Sequence, residues 1–250
     1  MTALFTKDYK SITGILFEQL HFAIIPSKKG SEFFTNFHAV LCIECVSTKF
    51  NLLGIGTDAK TSKGADYGYL TGILYLAPAS ISGWEVCPSR SEGCTQACLF
   101  TAGRGAFSNV QNARIRKTQL LFNNRAEFLK VLRNDIRLLV EKANKLNMKP
   151  CVRLNGTSDL GWEGIAKDII EEFSDVQFYD YTKVLARMLR YCDGKFPKNY
   201  HLTFSRSESN QDACDTVLQK GGNVAAVFGT VPSLYNGYKV IDGDKNDLRF

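Results

Sequence analysis

The sequence predicts an α/β protein in which parallel strands alternate with helices. Two observations carry that reading. From residue 68 onward, six short apolar runs rich in β-branched and aromatic residues recur, followed by polar clusters. The stretches between them repeat their apolar residues at helical spacing. Strand-then-helix order requires crossover connections, so neighbouring strands run parallel and two architectures remain, a doubly wound sheet or a barrel.

The six strand-like runs are GYLTGILYLAP (68–78), KPCVRLNG (149–156), VQFYDYTK (176–183), NYHLTFSRS (199–207), NVAAVFG (223–229) and GYKVIDGD (237–244). Between the first two, VQNARIRKTQLLF and RAEFLKVLRNDIRLLVEKANKL supply helices, and Phe128, Leu132, Ile136 and Leu139 mark the inward stripe of the second. WEGIAKDIIEEF, KVLARMLRY and QDACDTVLQKG fill the later gaps in the same way. Residues 1–50 are phenylalanine-rich and follow neither pattern, so they read as an N-terminal appendage to a domain spanning 51–250. Cys42 and Cys45 there form a C-x2-C pair, but their apolar flanks favour core thiols.

Composition narrows the class further. With 44% apolar residues over 250 positions, the chain can bury a large core without disulfides. Eight cysteines with no secretory signal ahead of them suit a reducing cytoplasm, where thiols stay free or bind metal. The apolar stretch 12–25 is broken by Glu18, Gln19 and His21, short of the roughly 18 apolar residues a membrane span needs, so no membrane partner is expected. A net charge of +6 with no long basic block permits nucleic acid as a partner without requiring it.

Function in such folds gathers at the carboxyl ends of the strands, which share one face. After the first run the chain reads CPSRSEGCTQAC, placing Cys87, Cys94 and Cys98 on one loop at C-x6-C-x3-C spacing. Thiolates so close in sequence can share one metal centre, an iron–sulfur cluster or zinc, and they can also be unligated. Zinc would want a fourth ligand, for which Cys151 on the second run is the candidate, although its apolar neighbours favour burial. The later ends offer Asn155, Gly156 and Asp159, then Tyr181, Thr182 and Lys183, then Ser205, Arg206 and Glu208, and after the last run Asp242, Asp244 and Asp247. Each also has a plain structural role open to it, since Ser158 or Asp159, and Ser207 with Asn210, can cap the next helix.

Arg104, between two glycines, together with Arg114 and Lys117 forms a basic stretch that could meet phosphate or a substrate anion. Arg116 reads as a solvated helix position. Cys192 and Cys214 fall in helical patterns and read as core; His201 reads as a structural histidine. Asp242, Asp244 and Asn246 imitate the start of a calcium loop but lack its sixth-position glycine, which favours a tight turn. The chain has no P-loop, dinucleotide fingerprint or Ser–His–Asp order.

The strings CPSRSEGCTQACLFTAGRGAF, ARIRKTQLLF, VRLNGTSDLGWE, YDYTKV, LTFSRSESN and VIDGDKNDLRF resemble those of the phage "gene product 88" family over about residues 51 to 250. Members of that family continue beyond the aspartate-rich segment, which implies a domain truncated at its C-terminus. The family name carries no activity. The layout is similar to that of radical S-adenosylmethionine enzymes, partial barrels of six strand–helix units with three cluster-binding cysteines after the first strand. That likeness implies a partial TIM-like (β/α)6 barrel with a [4Fe–4S] cluster on Cys87, Cys94 and Cys98, and S-adenosylmethionine as small-molecule cofactor. It also implies that Gly156 and Asp159 meet the cofactor's amino group, and that Ser205, Arg206 and Glu208 lie where its ribose and carboxylate are held. The common spacing in that group is C-x3-C-x2-C, from which this loop departs. Nucleotide, nucleic acid and peptide substrates all suit the polar mouth. The competing function is a zinc-containing nucleic-acid-binding protein without catalysis.

Overall fold

The computed structural model describes residues 50–56, 59–245, 247, 248 and 250. The expected appendage, with Cys42 and Cys45, lies outside the described residues apart from Phe50. In chain order the elements begin with β1 (Leu53–Ile55), α1 (Ala59–Ala65), β2 (Tyr69–Leu74) and a short α2 (Glu92–Gln96). A 3-10 turn (Gly103–Ala106) leads to the helical pair α3 (Ser108–Asn123) and α4 (Arg125–Lys145). Then come β3 (Lys149–Arg153), α5 (Trp162–Ile165), α6 (Lys167–Glu172), β4 (Gln177–Thr182), α7 (Leu185–Cys192), β5 (Tyr200–Ser205), α8 (Gln211–Gln219) and β6 (Val224–Ala225). A hairpin of β7 (Leu234–Tyr235) and β8 (Tyr238–Lys239) follows.

The first six strands form one sheet in the order β1-β2-β3-β4-β5-β6. β1 pairs antiparallel with β2, and each later pair is parallel, with Thr71 opposite Cys151 and Phe178 opposite Tyr200. Parallel strands laid down consecutively, with no reversal of order, follow the winding of a barrel, whereas a doubly wound sheet reverses. Here the sheet stays open, with β1 and β6 as its edges, and no barrel closes.

One expected strand is missing from it. The run 237–244 does not join the sheet: Asn236 and Gly237, both at positive φ, turn the chain into the β7–β8 hairpin. An Asn-Gly pair between strand formers is the turn chemistry that a two-residue hairpin demands. The sixth place is taken instead by β1, whose three residues are too few to show a period.

Alternation along the strands gives the sheet two different faces. Leu70, Leu74, Val152, Leu154, Phe178, Leu202 and Phe204 point to the helices and form the core with Phe128, Leu132, Ile136 and Leu139 of α4, all four of which are fully buried, as their spacing predicts. Each such side chain contributes about 1.5–3 kcal/mol by leaving water. Thr71, Cys151, Arg153, Tyr179, Tyr181 and Thr203 occupy the alternate positions on the opposite, concave face. Cys214 is core, and Cys192 packs partly buried against it.

A buried polar network stiffens the helix side. Arg187 of α7 donates through Nε to Glu163 (2.9 Å), through Nη1 to Asp159 (3.4 Å) and through Nη2 to the Tyr200 hydroxyl (3.0 Å). The Tyr200 hydroxyl donates in turn to Asp180, which also accepts from the Asn155 amide at 2.7 Å. Burial lifts the Asp180 carboxyl to about 6, against the pull of Arg187 and its hydrogen-bond donors.

Candidate functional site

The loop after β2 folds back on itself before it carries any thiol outward. The Val86 amide donates to the Ala79 carbonyl (3.0 Å), and the Ala79 amide donates to Cys87 Sγ (3.4 Å), which places Cys87 beside the end of β2. Cys87 Sγ lies 3.7 Å from the Thr157 carbonyl and the Asp159 amide donates to Val86 (2.8 Å), so this loop is laced to the one after β3. Burial pushes the Cys87 thiol up to about 11, and the neighbouring Glu85, Asp159 and Cys98 push the same way against the Ala79 amide.

Cys94 rides on α2, where Ser91 caps the first turn by accepting from the Cys94 amide (3.1 Å). Glu208, from the loop after β5, accepts from the Ser91 hydroxyl (2.7 Å) and the Gly93 amide (2.9 Å). Its own backbone amide first, and then those two bonds, hold its carboxyl below the usual range, although it is exposed to solvent. The cysteine turn is thus strapped to the far side of the mouth by a carboxylate expected to hold cofactor. Cys98 follows, and the chain then tucks through Gly105, where a Cβ would stand 2.4 Å from the Leu99 carbonyl oxygen. The glycine beside Arg104 serves this close approach of the chain to itself, and Arg104 remains exposed.

The loop after β3 is organised by Asn155, whose Oδ1 accepts from Ser158, from the Leu160 amide and from Trp162 Nε1, each at about 3 Å. Gly156 lies against β2: its amide donates to Leu74, and a Cβ there would meet that carbonyl oxygen at 2.6 Å. Asp159 accepts from the Lys183 amide (2.7 Å) as well as from Arg187. Lys183 Nζ reaches Ser205 Oγ (2.9 Å), and Arg206 Nε donates to Gln211 (2.8 Å). Asn210 accepts from the Ser207 amide (2.7 Å), so this pair shapes the loop, and α8 has no side-chain cap from it.

All of these ends open on one cavity of about 580 Å³. Cys87, Cys94 and Cys98 line it, half-buried, together with Asn155, Gly156, Asp159, Lys183, Ser205, Arg206 and Glu208. The coincidence expected from strand ends alone is therefore present as a single concavity. Among the described residues, however, no three His, Cys, Asp or Glu side chains stand close enough to hold an ion as placed.

Three basic residues singled out in the sequence lie elsewhere. Arg114 is buried over the rings of Tyr75 and Phe100, with its guanidinium carbon 4.7 and 5.7 Å from their centroids. Lys117 donates to the Leu52 carbonyl (2.6 Å) beside Asp135, which accepts from the Leu52 and Leu53 amides, so this pair fastens β1. Burial lowers Lys117 to about 8. Neither lines the cavity, nor does Arg104. Cys151, the candidate fourth zinc ligand, is buried on the concave face 3.0 Å from the Thr71 hydroxyl, outside the cavity lining. His201 sits between Tyr191 and Phe250, and Asp244 donates its amide to Asp242 in a tight turn.

Arg153 and Tyr181, from β3 and β4, and Asp247, from the segment after the hairpin, form the floor of the cavity; Tyr181 and Asp247 are where the strand ends predict them, and Arg153 is the residue that the strand-end pattern misses. Its signal was present in the alternation of CVRLN, which puts a cation between Cys151 and Asn155 on one face.

No helix among the described residues is long and apolar enough to cross a membrane. A family model described as Gene product 88 matches residues 51–250, and the chain belongs to that family. No curated protein and no solved structure matches it.

Proposed function

We propose that this member of the gene product 88 family carries a [4Fe–4S] cluster on Cys87, Cys94 and Cys98 and binds S-adenosylmethionine beside it, in the manner of radical S-adenosylmethionine enzymes. The supporting observation is convergence: three half-buried thiols from one loop share a cavity with the polar ends of β3, β4 and β5. Three thiolates are the donor set that leaves one iron of such a cluster open to a cofactor. The cavity volume of about 580 Å³ falls within the roughly 300–1,000 Å³ of small-molecule sites. Because the thiols are not gathered as placed, binding entails rearrangement of the cysteine loop.

When bound, the cluster supplies the electron that cleaves the sulfonium cofactor. The chain's own residues position and neutralise. Lys183, bonded to the Ser205 hydroxyl, gives the cavity wall a cation for an anionic group. Arg206 adds a second cation to the same wall. Asn155 and Glu208 act one step removed, by fixing the loops that carry the liganding groups.

Anaerobic purification and reconstitution, with iron, sulfide and zinc analysis of wild type and Cys94→Ala, tests the reading. Iron and sulfide in the wild type, reduced in the variant, and reductive formation of 5′-deoxyadenosine from S-adenosylmethionine are expected. A zinc-replete, iron-free protein after reconstitution would sink the cluster, and a metal-free one would sink zinc as well.

A further inference from the structure

The chain's last described residues fold back against the sheet, with Asp247 half-buried and Phe250 39% exposed. They cross the concave face of the sheet. Lys63 Nζ holds the Asp244 carbonyl (2.6 Å), and Asp247 then brings both carboxylate oxygens down onto the floor, one 3.2 Å from Arg153 Nη1 and the other 3.2 Å from the Tyr181 hydroxyl. Three positions later, the Phe250 ring enters an aromatic box, with centroids 5.5 Å from Tyr69, 5.7 Å from Tyr179 and 6.3 Å from His201. The segment is thus read at two points, a carboxylate and a ring.

Asp247 uses the floor incompletely. Arg153 stacks over Tyr181 (4.8 Å), and the acid beside it raises its pKa against the effect of burial. Yet its Nε is buried with no hydrogen-bond partner among the described residues, and only Nη1 meets the carboxylate. A guanidinium binds a carboxylate best through two parallel N–H donors, and the parallel pair along the Nε edge, Nε with Nη2, is unspent among the described residues. A carboxylate free of the tether can take both. The occupant also borders the open cavity, since Gly243, Asp244 and Asp247 line it, so an incoming ligand meets this segment directly.

We propose that Arg153, Tyr181 and the Tyr69–Tyr179–His201 box form a binding site for a peptide that carries a carboxylate side chain and, three positions on, an aromatic residue, and that residues 244–250 are its resident competitor. The site takes a peptide because the segment seated in it is one, running from floor to box. This inference does not rest on the cluster; the binding it describes needs no metal.

The test uses the full chain, iron-free and reconstituted, with a fluorescein-labelled peptide GDKNDLRF, the sequence of residues 243–250. In the wild type the tethered segment competes from an effective concentration of about millimolar, so the free peptide is largely held off. Asp247→Asn removes a charge-assisted bond, a change on the order of 10–100-fold in the tethered copy's hold. By fluorescence anisotropy the Asp247→Asn chain is expected to bind the peptide at least about tenfold more tightly than wild type. A peptide with Asn in place of its second Asp should lose that gain, and so should the Arg153→Gln/Asp247→Asn chain. Phe250→Ala, which empties the box and leaves the floor intact, is a second opening variant expected to change binding in the same direction. Equal binding by wild type and both opened variants, or indifference to the peptide's carboxylate, would overturn the proposal. Binding of 3-phenylpropionate as tight as that of the peptide would overturn the peptide assignment. Iron content is read on the same samples, so failure of the cluster and failure of peptide binding are separable.

Discussion

Replacing Arg187 with methionine should cost as much as a large aliphatic truncation in the core, and more at alkaline than at acid pH. The guanidinium is 5% exposed and donates to Glu163, Asp159 and the Tyr200 hydroxyl, with Nη2 to Glu163 at 2.8 Å. Methionine fills the volume and removes the charge. Glu163, at 7% exposure, and Asp180, at 2%, then stay buried without their cation. Breaking a buried pair in this way costs about 3–5 kcal/mol, a large part of the roughly 5–15 kcal/mol that holds a domain folded.

The pH dependence has a definite sign. The Asp180 carboxyl is raised from 3.8 to about 6 by burial, and Arg187 is first among the groups opposing that rise. A raised acid stabilises the fold below its unfolded value near 4 and loses that contribution as pH climbs through about 6; two units correspond to about 3 kcal/mol. Without Arg187 the acid is lifted further and the loss extends to higher pH. Urea unfolding of wild type and Arg187→Met at pH 5 and pH 8 should therefore show the larger gap at pH 8. A variant within about 1 kcal/mol of wild type at both values would refute the account, because the arginine would then be stabilising no more than an exposed pair does.

Gly156→Ala should fold poorly, since its Cβ would lie 2.6 Å from the Leu74 carbonyl oxygen and 2.7 Å from the Tyr75 ring; a loss of about 1–3 kcal/mol in urea is expected from the overpacking. Glu208→Gln weakens the strap across the mouth at an exposed site, so the midpoint of global unfolding should barely move. Its signature is faster hydrogen exchange at the Gly93 and Cys94 amides, the first of which it holds directly and the second through Ser91.

The sequence made the helix side of the sheet legible because that side is built from periodicity. Phe128 through Leu139 recur on one face of α4 and are buried together, and a window of twenty residues averages out any single exception. The edges were not legible. β1 has three residues, and what fixes it is a carboxylate on α4, Asp135, more than eighty positions away. The concave face was half legible. Polar ends of strands marked the cavity rim, Tyr181 and Asp247 among them, but Arg153 was hidden inside a strand whose other face is apolar, and nothing linked the three. Their pairing, at 94 and 66 positions of separation, leaves no trace in local pattern.

The way the cysteine loop is fastened also decides which substitution reads out metal chemistry cleanly. Cys87 is an anchor in its own right: its sulfur accepts from the Ala79 amide and lies against the Thr157 carbonyl, so before any metal binds it ties the ends of β2 and β3 together. Replacing it changes the fold of the mouth and the ligand set at once, and lost iron could not be assigned to either. Cys94 differs. Its backbone is held by the Ser91 cap and, through Ser91, by Glu208, while the turn is closed beyond it by the tuck at Gly105. None of those bonds uses the Cys94 thiol. Cys94→Ala therefore keeps the turn and removes one sulfur, and loss of iron with an unchanged unfolding midpoint would place that sulfur on the metal.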